Sequence, residues 1–185
     1  LSGIHIDMNT TIRFVSAIAI LNVLAACGGS VSVEEHLTRA NQFIAESKYR
    51  SAIIELKNVL QEDKQSAEAR WLLGRTYLES GDVRSAEKEL QHALRLKWPE
   101  EDVIPALAKS MLTQGKYDEV SKLNATDLTA QSKASLLASK AMAAMGRGES
   151  KIASDLTRKA LKNAPDSTDA LLANARILAT QGDAE

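Results

Sequence analysis

Between Ala67 and Pro99 the apolar positions fall into two runs on either side of Gly81-Asp82. In the first run Leu73-Gly74 is followed by Tyr77. In the second, Ala86, Leu90 and Ala93 recur at three- and four-residue steps. That spacing gathers them on one face of a helix. Gly-Asp between the runs marks a turn, and Pro99 closes the second helix. Small residues (Gly74, Ala86) stand beside large ones (Tyr77, Leu90), so two antiparallel helices can approach closely. A hairpin this small cannot bury its own apolar faces and needs neighbours of the same kind.

The pattern recurs. Units begin at Val33, Ala67, Glu101, Ala134 and Thr168, in steps of thirty-three or thirty-four residues. Ala40, Phe43, Ser47, Ala52, Leu56 and Val59 keep the register in the first unit. Ala108, Met111, Gly115 and Val120 keep it in the third. Ala141, Ala144, Gly148, Ala153, Thr157 and Ala160 follow in the fourth, and Ala175, Leu178 and Gly182 in the fifth. A helix–turn–helix with this order of residues and a period of about 34 resembles the tetratricopeptide repeat. The resemblance implies an all-α fold, a solenoid of helical hairpins wound as a right-handed superhelix.

The expected organisation is therefore residues 33–66, 67–100, 101–133 and 134–167 as four repeats, and residues 168–185 as the first helix of a fifth. In the third unit Val120 and Leu123 are followed by Asn124-Ala125-Thr126-Asp127-Leu128-Thr129. Asn, Thr and Asp favour caps and turns. A short second helix, then a loop, with Thr129 or Ser132 near the next helix start, is predicted. Gly146-Arg147-Gly148 is read as the turn of unit four. The last helix has no partner, so the sequence is expected to be the N-terminal piece of a longer protein.

Composition adds exclusions. The chain has 185 residues, 44% hydrophobic and 25% charged, with a net charge of −1. No basic excess is present to hold phosphates, so nucleic acid is not an expected partner. One cysteine rules out an internal disulfide framework or a Cys-cluster zinc site. His5, His36 and His92 are far apart, and none of the familiar hydrolase, metalloprotease or phosphate-loop motifs occurs. No enzyme activity, cofactor or metal is expected. Glu87 and Glu89, like Glu100 and Glu101, read as solvent-facing charges.

Residues 1–26 have the layout of a secretory signal, with Met8 as a plausible start and no function assigned to Leu1 to Asp7 ahead of it. A short polar segment with one positive charge (Met8 to Arg13) precedes an apolar run, Phe14 to Leu24. The run is too short for a membrane span, which takes about 20 residues. Leu24-Ala25-Ala26-Cys27 resembles the processing motif of bacterial lipoproteins. That resemblance implies a diacylglyceryl group on the Cys27 thiol, cleavage before it and usually acylation of the new amino group. More than one acyl chain gives stable anchoring. It also implies, since Gly28 stands where an Asp would retain the protein at the inner membrane, an outer-membrane, periplasm-facing location. Residues 27–32 would be a lipidated tether. A plain secretory signal that happens to contain Cys27 is the alternative.

The segment SAEARWLLGRTYLESGDVRSAEKELQHALRLKWPEEDVIPALAKSMLTQGKYDEV, the lipoprotein cysteine ahead of it and the degenerate third unit together resemble a narrower family. This is the TPR-repeat lipoprotein of the PEP-CTERM/exosortase system of Gram-negative bacteria. The resemblance implies an envelope role linked to protein sorting and exopolysaccharide functions.

In such arrays the groove lined by the first helices carries function. Candidate groove residues are Asn41, Trp71, Arg75, Lys109, Met142 and Arg176, with Glu34, Leu37, Ile44, Glu68, Leu78, Leu112 and Met145 on the same face. Asn41, Arg75, Lys109 and Arg176 hold equivalent places. As a polar-to-basic row they suit an acidic peptide tail, a carboxylate or an anionic saccharide. A solvated face with scattered charge fits them equally. Trp71, one turn before Arg75, either stacks on a ligand or packs. Trp98 is expected to pack at the junction between units. The reading is a membrane-anchored scaffold binding envelope or exported proteins. The alternatives are a structural or saccharide-contacting component of an exopolysaccharide assembly, and a carrier for a catalytic domain beyond Glu185.

Overall fold

The computed structural model describes residues 31–182. Cys27 and the whole signal segment lie outside the described residues. Helices α1 (Val33–Ala45), α2 (Tyr49–Glu62), α3 (Ala67–Glu79), α4 (Val83–Arg95), α5 (Glu100–Thr113), α6 (Tyr117–Lys122), α7 (Ala130–Gly146), α8 (Ser150–Asn163) and α9 (Thr168–Gly182) follow one another, with no strand among these residues. Each helix packs on the next in the chain, and α5, α7 and α9 also pack side by side. The result is two layers, with the odd-numbered helices in one and the even-numbered ones in the other.

Close approach of the layers rests on small side chains. Ala40, Ala108 and Ala141 in the first layer and Ala52, Ala86 and Ala153 in the second are fully buried (0% exposed). Gly74 takes this to its limit: a Cβ there would sit 2.7 Å from Leu90 Cγ. The turns between layers repeat one device. At Ser47, Gly81, Gly115 and Gly148 the backbone has φ of 55°, 85°, 72° and 78°. The next amide then bonds back five residues, as in Lys48 N–H to Phe43 C=O (2.8 Å) and Glu149 N–H to Ala144 C=O (2.9 Å). This is the Schellman ending, which favours glycine because a positive φ is disfavoured by a Cβ. Ser47 is the one of the four turn positions that carries a side chain.

Several sequence expectations are corrected here. Gly146 is not part of the turn but the last residue of α7. Its missing side chain makes room for the Tyr117 ring, which a Cβ would meet at 2.5 Å. Helix α7 starts at Ala130, a turn ahead of the repeat boundary at Ala134 but where Thr129 is expected to mark the helix start; the Thr129 hydroxyl caps it by accepting from the Ser132 amide (3.2 Å). It can start early because α6 stops after six residues. Arg147 fastens this short helix by donating to the Tyr117 carbonyl (2.9 Å). The same guanidinium pairs with Glu149 at 2.7 Å, which holds the Glu149 carboxyl below its ordinary value and raises Arg147.

Glu89 is not solvent-facing. It is 7% exposed and pairs with Arg70 Nη1 at 2.5 Å. Its position on α4 faces α3 rather than water. Glu87 is half-buried, taking Lys116 Nζ and Gln114 Nε2 at 2.6 Å each. One repeat earlier, at the same register as Arg70 and Glu89, His36 Nδ1 meets Glu55 at 2.5 Å. One repeat later the register holds Ile104 and Leu123, which pack in one apolar cluster. Ala175 and Leu178 are exposed, Leu178 at 57%. They lie on the face that the earlier first-layer helices turn toward a following second-layer helix.

Candidate functional site

The exposed edge of the first layer forms a groove. Two adjoining pockets run along it and share Lys109 and Asp169. The first, about 290 Å³, is lined from α3, α5, α7 and α9 and includes Trp71, Arg75, Glu101, Asp102, Lys109 and Ser135. The second, about 80 Å³, includes Leu112, Met142, Leu172 and Arg176. Five of the six groove residues read from the sequence, Trp71, Arg75, Lys109, Met142 and Arg176, therefore meet along one surface. Asn41 lines neither pocket; it is exposed on α1.

The helical period explains the assembly. Positions 75, 109, 142 and 176 sit one repeat apart, so whatever they carry stands in a row. A second row lies seven residues, or two turns, before it: Glu34, Glu68, Asp102, Ser135 and Asp169. Of this row, Glu34 and Glu68 are expected on the groove face from the sequence, and Asp102, Ser135 and Asp169, which keep the same step, complete it. Between the rows stand Leu37, Trp71, Pro105, Ala138 and Leu172. The groove is thus striped: acidic, apolar, basic. Across the stripes, Lys109 Nζ lies 3.7 Å from Asp169 Oδ1, and the Ser135 hydroxyl donates to Asp169 Oδ2 at 2.6 Å. These contacts tie α5, α7 and α9 together at the groove floor.

Trp71 is held on two sides. Its ring stacks on Trp98 with centroids 5.2 Å apart and planes 23° from parallel, and the Arg75 guanidinium lies 4.8 Å from its centroid. Trp98 is fixed in turn by donating from Nε1 to Asp102 Oδ2 (3.1 Å). The pair sits where the apolar clusters of units one–two and two–three meet. The indole Nε1 of Trp71 is buried without a protein acceptor. Arg75 and Arg176 make no ion pair among the described residues, so their full charge is available to a ligand. Among the same residues no group of three His, Cys, Asp or Glu side chains could hold a metal ion, and no helix is long and apolar enough to cross a membrane.

Residues 43–97 match the tetratricopeptide repeat family. The whole described array is an all-helical tetratricopeptide-repeat solenoid. Among solved structures, one crystal structure of MamA aligns at a TM-score of 0.63 and 22% identity, over 86% of this chain and 96% of that one. Another MamA crystal structure aligns at 0.62 and 22%, over 71% and 73%. A MamA fragment from Desulfovibrio magneticus RS-1, running from residue 41 to its end, aligns at 0.62 and 12%, over 83% and 98%. At these identities the likeness is one of fold. No curated protein matches the chain.

Proposed function

We propose that the array is a binding scaffold whose groove takes an extended polypeptide segment of a partner protein. The observation that carries this is the striped groove, which offers one acidic, one apolar and one polar or basic position in every repeat but the fourth, where Ser135 and Met142 stand in the outer rows. An extended chain presents alternating side chains at regular spacing and can meet such a surface along its length. A saccharide is less well served, because both Trp98 and Arg75 already lie against the Trp71 ring. We further propose that the scaffold works at the bacterial outer membrane, facing the periplasm, anchored through lipidated Cys27. Its partners there are exported or envelope proteins of PEP-CTERM/exosortase-linked sorting or exopolysaccharide export. That part rests on the Leu24-Ala25-Ala26-Cys27 motif and the family resemblance.

In-cell crosslinking of the full-length protein in its native envelope, read by mass spectrometry, tests both parts. Arg75→Glu with Lys109→Glu is expected to lower recovery of the groove partner by about tenfold or more, the effect of reversing interfacial charge. Unchanged recovery removes the groove reading. Cys27→Ser is expected to release the protein from the membrane fraction, and retention there removes the lipid anchor.

A further inference from the structure

We propose that a pocket between the loop of residues 123–129 and α7 binds a carboxylate carried on a short aliphatic group, with Lys140 as its counter-ion. The pocket encloses about 220 Å³. Its apolar wall is Ala125, Leu128, Leu136 and Leu137, and Lys133 and Lys140 stand at its rim.

Repeat register shows why this place is unusual. Lys140 occupies the position held by Leu73 and Leu107 in the two preceding units, both 2% exposed. Leu73 shares an apolar cluster with Leu56, and Leu107 shares one with Leu90. At the next step of that pairing stand Lys140 and Asn124, and the Lys140 ammonium donates to Asn124 Oδ1 at 3.3 Å. A leucine pair has become a lysine and an amide where α6 ends after six residues and leaves its neighbour uncovered. Partial burial pulls the Lys140 ammonium below its ordinary pKa. Among the described residues no carboxylate lies within ion-pairing distance of Lys140 or Lys133. A half-buried cation next to an apolar wall lacks an anion, and an aliphatic acid supplies the anion and the apolar body together. Both a free small acid and the C-terminus of a polypeptide ending in an aliphatic residue have this chemistry.

The test is titration of the isotope-labelled full chain with isovalerate, N-acetyl-leucine and N-acetyl-leucinamide, followed by amide nitrogen–proton NMR. Saturable shifts at Leu128, Leu136 and Leu137 are expected with the two acids. Binding should be about tenfold weaker for the neutral amide, as for loss of a charge-assisted contact. Lys140→Leu restores the residue type of the other repeats, keeps the fold, and should abolish the shifts, while Lys140→Arg should retain them. Tighter binding of N-acetyl-leucine than of isovalerate identifies a polypeptide C-terminus as the source, and equal binding a free acid. No saturable shift with either acid, equal affinity for acid and amide, or unchanged binding in Lys140→Leu overturns the proposal.

Discussion

Replacing Glu89 by alanine is expected to destabilise the protein by about 3 kcal/mol, the lower end for breaking a buried ion pair from one side. The Arg70 guanidinium would lose its 2.5 Å partner while staying mostly buried. Its remaining side-chain contact is a 3.4 Å donation to the Lys64 carbonyl, and its Nε already has no partner. The charge is what makes the loss large. Replacing both residues with leucine should therefore recover stability to within about 1 kcal/mol of the native protein, since removing both buried charges is close to neutral. The array supplies the precedent: Ile104 and Leu123 fill the same two positions one repeat later. Urea denaturation of the single and double variants decides the matter. A double variant as unstable as Glu89→Ala would mean that this junction depends on the ion pair itself. His92 offers a second reading of the same site. Its pKa is lowered, chiefly by burial and then by Arg95 and Arg70, with Glu89 acting in the opposite sense.

Gly74→Val is expected to cost about 3 kcal/mol, at the upper end for forcing extra methyl groups into a packed interior. The new Cβ would lie 2.7 Å from Leu90 Cγ and 3.1 Å from the Leu90 backbone nitrogen. Leu90 is fully buried and cannot swing aside. Because a backbone atom is involved, α3 and α4 must separate. Gly74→Ala should cost only about 1 kcal/mol, because the gain in helix propensity of about 1 kcal/mol offsets part of the strain. Ala40 opposite Leu56 shows that the fold accommodates that pair elsewhere. Shortening the partner, as in Gly74→Val with Leu90→Ala, should destabilise by less than the sum of the single changes, since the residues are in contact. Additive losses in thermal unfolding would place the strain somewhere other than this crossing.

The solenoid and its groove were legible in the sequence for one reason: a helical repeat converts position in the chain into position in space. Arg75, Lys109, Met142 and Arg176 were found by stepping one repeat at a time. The row of Glu34, Glu68, Asp102 and Asp169 obeys the same arithmetic and was open to the same method. Glu89 was harder. On an amphipathic helix a glutamate reads as solvated, and its partner lies nineteen residues earlier on another helix. The clue available was the spacing itself, since His36 and Glu55 repeat it one unit before. Gly146 was misread because glycine near a helix end suggests a turn, whereas here an aromatic ring from the preceding unit requires the space. Lys140 carries a similar lesson: only comparison with Leu73 and Leu107 shows that a charge occupies a core position.

The six-residue α6 bears on how the array comes apart. In a linear solenoid each unit is stabilised by its own hairpin and its contacts with adjacent ones, so unfolding spreads until it meets a weak joint. Units one and two are bounded by full-length second helices. The joint after unit three depends on α5 against α7, on Tyr117 seated over Gly146 and on the Arg147 contacts. Amide exchange should accordingly reveal two blocks with separate protection levels, meeting at residues 123–129. A single uniform level across that boundary would show that these few contacts suffice to make the whole array one cooperative body.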